Sequence, residues 1–148
     1  MLILRNGRVA YTRDHPFGGN QLVEEIMRRY EMTPEQASFF MRGEPGPENF
    51  EEEVLEPFML NVVHQISRAL QFYSSSAEFS NIRTIYLSGT MASLKGLGDV
   101  VEQELGIKTG VADPITGMDL APSVAVAALN RNAPNLMVAM GLALRGFD

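Results

Sequence analysis

The sequence contains no cysteine, which excludes a disulfide framework, a cysteine-based zinc site and a thiol nucleophile. Histidine is nearly as scarce. His15 and His64 are the only two, they fall in different expected elements, and neither has a partner at metal-ligand spacing. Basic residues are in deficit, with 12 Lys+Arg against 18 Asp+Glu for a formal net charge of −6. A chain of that balance with no basic run lacks the cationic surface that phosphate-backbone binding needs, so nucleic acid is excluded as a primary ligand. Long apolar runs are missing too. Met1-Leu2-Ile3-Leu4 is cut off by Arg5-Asn6-Gly7, well short of a signal-peptide core or a membrane span, and the expected compartment is the cytoplasm. What remains is 148 residues at 45% hydrophobic, enough for one domain that holds a core without staples.

The first elements are announced by local chemistry. Leu2-Ile3-Leu4 and Val9-Ala10-Tyr11-Thr12 flank Asn6-Gly7, a pair that tolerates the positive φ of a tight hairpin turn, so two antiparallel strands are expected. Pro16-Phe17-Gly18-Gly19 breaks the ladder, and Asn20 is the expected cap of a helix with Leu22, Val23, Ile26, Met27 and Tyr30 on one face. Thr33-Pro34-Glu35-Gln36 predicts a second helix with a capping hydroxyl, a first-turn proline and a reciprocal glutamine, stopping by Gly43. Glu44-Pro45-Gly46-Pro47 predicts a bend. Beyond it Phe50, Val54, Phe58, Val62, Ile66, Ala69 and Tyr73 recur at three or four residues, predicting one long amphipathic helix in which Pro57 is the discordant residue.

The second half alternates strand and helix. Thr84-Ile85-Tyr86-Leu87 suits a buried strand; Ser88-Gly89-Thr90 leads into a helix carrying Leu94, Leu97, Val100, Val101 and Leu105, closed by Gly106. Ile107 to Val111 is the next expected strand, ended by Asp113-Pro114. A last helix from about Pro134 to Leu144 carries Ala139, Gly141 and Ala143, small residues that allow a backbone to approach a sheet. There is no internal repeat and no low-complexity segment.

Few chemical signals survive inspection. Ser88 follows a strand, but Tyr86 stands two residues before it, where the strained turn of a nucleophile elbow needs glycine. Glu51-Glu52-Glu53 matches the dipole of a helix start and needs no catalytic reading. Neither a P-loop nor a dinucleotide-binding fingerprint is present. Two glycine features remain, Gly18-Gly19 and Ser88-Gly89-Thr90, each between a strand and a helix. Each is either a tight turn or a place where backbone N–H groups and a helix N-terminus face an anion or a flat ligand.

Phe17-Gly18-Gly19-Asn20-Gln21-Leu22-Val23-Glu24-Glu25-Ile26, Glu53-Val54-Leu55-Glu56-Pro57-Phe58 and Ser67-Arg68-Ala69-Leu70-Gln71-Phe72-Tyr73 resemble the C-terminal part of the PilM family of actin-like type IV pilus assembly proteins. So do Leu87-Ser88-Gly89-Thr90, Gly96-Leu97 and Gly141-Leu142-Ala143-Leu144-Arg145-Gly146-Phe147-Asp148. The resemblance covers the whole chain. It implies an α/β fold of the actin, Hsp70 and FtsA superfamily, here a partial ribonuclease-H-like second lobe whose mixed sheet with flanking helices lacks its first, central strand. Residues 1–19 and 82–148 would form the sheet-plus-helix core and 20–81 a mainly helical subregion. The sheet would then be completed by strand exchange or by an edge-to-edge homodimer, the alternative being that the two strands bordering the gap pair directly.

The same resemblance implies ATP with Mg²⁺ as the cofactor of the full-length family. Gly18 and Gly19 would lie beside the phosphates, and Ser88, Gly89 and Thr90 against the adenosine. Arg68, with Gln65 and Gln71, would cover adenine and ribose; read from the residues alone, Arg68 is equally a solvated charge near a helix end. The family's adenosine loop carries two glycines, and the second position here is Thr90, a β-branched residue. The expected role is a cytoplasmic, non-enzymatic scaffold at the inner-membrane platform, with no catalytic residue and no metal site of its own. Its partners would be PilN, reached through the absent first lobe, and PilO and PilP. The rival from the enzyme class is an ATP-hydrolysing or sugar-kinase-like lobe, distinguished by the carboxylates that position Mg²⁺. A further possibility is an interaction domain using the apolar face of the long helix.

Overall fold

The computed structural model describes residues 1–40, 45–76 and 82–147. Gly43 and Glu44, the expected helix stop and the start of the expected bend, lie outside the described residues. The chain opens with the hairpin, β1 (Leu2–Arg5) and β2 (Arg8–Thr12), antiparallel with Leu2 opposite Thr12 and Arg5 opposite Arg8. Asn6 (φ 51°) and Gly7 (φ 73°) make the turn, both left-handed as a two-residue hairpin loop requires.

Helix α1 (Gly19–Tyr30) is capped at Gly18, two residues before the expected Asn20 cap. Gln21 explains the shift: its Oε1 accepts from the Gly18 N–H at 2.7 Å, so a side chain reaching back from inside the first turn replaces the cap. In α2 (Pro34–Phe40) the expected reciprocal cap is present, the Thr33 N–H donating to Gln36 Oε1 at 2.9 Å and the Gln36 N–H to Thr33 Oγ1 at 3.4 Å.

The long helix is not uniform. A π-helical turn, Glu51–Leu55, leads into α3 (Glu56–Ser76). Pro57 has no N–H to give Glu53, and its ring crowds that carbonyl, so the wider turn forms where an α-turn would be strained. After β3 (Thr84–Leu87) comes a 3₁₀ turn, Thr90–Ser93, and then α4 (Leu97–Leu105). The expected single helix is thus broken at Gly96, whose φ of 85° is left-handed. Gly106 closes α4 as expected, at φ 64°. β4 (Lys108–Val111) pairs with β3 in parallel. Sequence periodicity missed α5 (Val126–Asn132), a short helix without a buried face. The last helix is a 3₁₀ turn, Ala133–Leu136, followed by α6 (Met137–Leu144).

The core lies among helices. Leu22 and Ile26 of α1, Ala37 of α2, Phe50 and Val54 around the π-turn, Phe58 and Val63 of α3, and Leu97 and Val101 of α4 form one buried cluster. The hairpin, whose Ile3 is buried, packs on the C-terminal part of α3 outside this cluster, by Tyr11 against Tyr73 (5.8 Å between ring centroids) and by the Arg13 guanidinium 4.3 Å from the Phe72 ring centroid. Among the described residues the strands form two separate two-stranded sheets, β1–β2 and β3–β4. The bordering strands therefore do not pair directly. β3 is correspondingly not the buried strand expected, with Tyr86 70% exposed. Nor does α6 use its small residues to approach a sheet. None of its residues is buried, and a Cβ added at Gly141 would meet nothing within 4 Å.

Candidate functional site

A cleft of about 1810 Å³ is bordered by β1 and β3. Phe58, Val62, Ile66 and Leu70 of α3 line it along one helical face, with Val23 of α1 and Leu97 of α4 beside them. The Phe17 ring stacks on Phe58 at 5.3 Å and continues this apolar surface. Polar groups also line it: Arg5 and Asn6 from the hairpin, Gly18, Gly19 and Asn20 at the start of α1, Ser38 of α2, Arg83 and Thr84 at the start of β3, and Ser88, Thr90 and Asp113.

The start of α1 carries the positive end of the helix dipole and N–H groups without intrahelical partners, a suitable surface for an anion. One of those donors is engaged, since Gly18 N–H bonds Gln21 Oε1. Gly18 has an extended backbone, φ 179°, which any residue adopts, and an added Cβ would enter open space. The second loop differs. Gly89 has φ 87° and ψ −179°, a conformation essentially restricted to glycine. Its N–H donates to the Pro134 carbonyl at 2.8 Å, joining the loop to the segment before α6. Gly89 is thus tied into the fold, while its neighbours Ser88 and Thr90 meet the cleft.

Asp113 lies two residues beyond β4 and bridges two groups, accepting from Thr116 Oγ1 at 2.7 Å and from the Ile115 N–H at 2.9 Å. The Thr116 hydroxyl first, and then the Ile115 amide, hold its carboxyl below the usual carboxylate range. Sequence reasoning passed over Asp113 as a cleft residue, reading Asp113-Pro114 only as a strand end.

The expected ligand residues divide. Gly18, Gly19, Ser88 and Thr90 border one cleft. Gln65, Arg68 and Gln71 do not border it. The cleft-facing stripe of α3 is Phe58-Val62-Ile66-Leu70, and at about 100° per residue Arg68 and Gln71 point roughly 140° and 160° away from its centre. Arg68 and Gln71 are exposed and Gln65 is half-buried. Gly18 and Gly19 thus meet the cleft at the start of α1, whereas Gln65, Arg68 and Gln71 lie on other sides of α3. Among the described residues no group of three or more His, Asp or Glu side chains could hold a metal ion.

Two strand pairs flanking an open cleft, with helices packed behind, define a mixed α/β chain. A family model described as type IV pilus assembly protein PilM matches residues 1–147, and the chain belongs to that family. Its structure is also similar to a chain of the solved PilM-PilN type IV pilus biogenesis complex, with a TM-score of 0.85 at 22% sequence identity. That likeness covers 99% of this chain and 42% of the other, so the chain spans less than half the length of the solved chain it matches.

Proposed function

We propose that the chain is the nucleotide-facing portion of a non-enzymatic, actin-like scaffold in type IV pilus assembly, acting at the cytoplasmic face of the bacterial inner membrane. The observation that carries the reading is the family match over residues 1–147. Among the described residues no helix is long and apolar enough to cross a membrane. PilN is the partner named with the similar solved chain; here PilN would be engaged through a lobe outside the match, with PilO and PilP beyond it. In this reading the two strand pairs belong to a ribonuclease-H-like lobe whose central strand comes from elsewhere.

Gly18 and Gly19 present the start of α1 to the phosphates of ATP, and Ser88 and Thr90 supply hydroxyls on the cleft. Bound Mg-ATP would contribute charge that joins the two sides of the site. This chain's residues orient the phosphates and leave hydrolysis to no group of their own. Disruption of the coding region in its host should abolish surface pili and twitching motility, with recovery from a plasmid copy; unimpaired piliation would overturn the assignment. ATP turnover by the purified chain would favour the kinase-like or hydrolase-like rival.

A further inference from the structure

We propose that the groove between α3 and α4 is the docking site for a basic amphipathic helix of a partner protein, one of whose arginines enters between Glu56 and Glu104. The groove is a cavity of about 370 Å³ lined by Glu56, Met59 and Leu60 of α3 and by Val100, Gln103 and Glu104 of α4. It is separate from the cleft. At about 100° per residue, Glu56 and Leu60 point roughly 100° and 140° away from the centre of the cleft-facing stripe of α3. A ligand here is therefore independent of any nucleotide in the cleft.

The lining fixes the chemistry of the occupant. Met59 is buried and Val100 half-buried, while Leu60 beside them is 44% exposed. The carboxylates on the rim carry no counter-charge: among the described residues the ion pairs join Arg28 to Glu25 and Arg29 to Glu53. Glu104 also stands in the last turn of α4, which holds no basic residue. That is the negative end of the helix dipole, where a carboxylate is disfavoured and a cation favoured. Glu102 of the same turn is engaged by the Thr109 N–H at 2.8 Å, a bond that leaves Glu104 to the groove. A side chain with an aliphatic stem and a cationic head matches both parts of this surface. Arginine suits it better than lysine, because its planar fork serves two carboxylates and the Gln103 amide oxygen together, and its weaker hydration lets it lie on Met59 and Val100.

A bare divalent cation is a poorer match. It would leave Leu60 uncovered, and among the described residues no group of three or more His, Asp or Glu side chains could hold a metal ion. The groove walls are helices whose backbone groups are bonded internally, so an extended segment would find no pairing edge, whereas a helix brings its own hydrogen bonds and lays its apolar face on Leu60. A second copy of this chain is also disfavoured: each copy carries a net charge of −6, and both arginines in the last turn of α1 are already paired.

The probe is a synthetic amidated helix of about fifteen residues, built of alanine, leucine and arginine with each arginine one turn from a leucine, titrated into the chain by calorimetry and by methyl NMR. Saturable one-to-one binding is expected, with shifts at Met59, Leu60 and Val100. Replacing the peptide's arginines by citrulline, which keeps the shape and removes the charge, should weaken binding about tenfold or more, and so should the double variant Glu56→Gln, Glu104→Gln. Both of those glutamates are exposed, so this variant should melt as the parent does. Glu24→Gln with Glu35→Gln removes the same charge outside the groove and should leave binding within about twofold. The proposal is overturned by absence of saturable binding, by equal binding of the citrulline peptide, by equal losses in the two double variants, or by a dimer of the chain alone that Glu56→Gln, Glu104→Gln disperses.

Discussion

Single residues mark where this backbone has no freedom to spare. Gly89→Ala should cost about 1–3 kcal/mol in urea unfolding, because the substituted residue would be held at a φ near +87° with ψ close to 180°. Gly46 is constrained by space instead: a Cβ there would overlap the Phe50 ring, which packs with Tyr30 and Phe40 at 6.2 and 5.6 Å. Gly46→Ala should therefore cost about 1–3 kcal/mol by the same assay, with the aromatic near-ultraviolet signal altered. Asp113 carries a pH dependence. Its folded carboxyl titrates below the usual value, so its contribution to stability is present above about pH 4 and is lost as the pH falls through the depressed value. The melting-temperature difference between the parent and Asp113→Asn should shrink as the pH is lowered below about 4; a difference constant from neutral to acid pH would show that the carboxylate's bonds to Thr116 and Ile115 add nothing.

Elements were legible where their signal is local. The Asn6-Gly7 turn and the Thr33–Gln36 box needed no knowledge of the rest of the chain, and both are present. The periodic apolar face of α1 likewise marks its buried side, and Ile26→Ala, at a fully buried position, should cost about 2–5 kcal/mol in chemical denaturation. What periodicity could not supply was the interruption of helices. The π-turn before α3 follows from a single proline, the break before α4 from the left-handed Gly96, and the shifted start of α1 from a glutamine that replaces the expected asparagine cap. α5 escaped because a helix with no buried face has no stripe to read. Which face of α3 meets the cleft is likewise decided by packing, that of Phe58, Val62 and Ile66, and Arg68 and Gln71 lie off that face.

At the scale of the whole molecule the core and the sheets tell different stories. The helices close one apolar cluster, while the strands remain two separate pairs with a cleft of mixed polar and apolar lining bordered by both. α6 repeats the theme: Val138 and Leu142 are 74% and 59% exposed on a helix with no buried residue. A helix that is apolar all round is normally covered, so the isolated chain should bind an apolar dye such as ANS in its native state and lose that binding when a partner covers the surface. The separation of the strands into two pairs was expected from the family resemblance, which implied a missing strand between them, and not from the strand pattern itself; the form of the gap depends on packing at long sequence separation. Amide hydrogen exchange of the chain alone tests that gap most directly. Along β1 and β3, slow amides that bond to β2 and β4 should alternate with fast amides that face the cleft. Uniform protection along both strands would contradict an open sheet and would mean that in solution the chain closes its own gap.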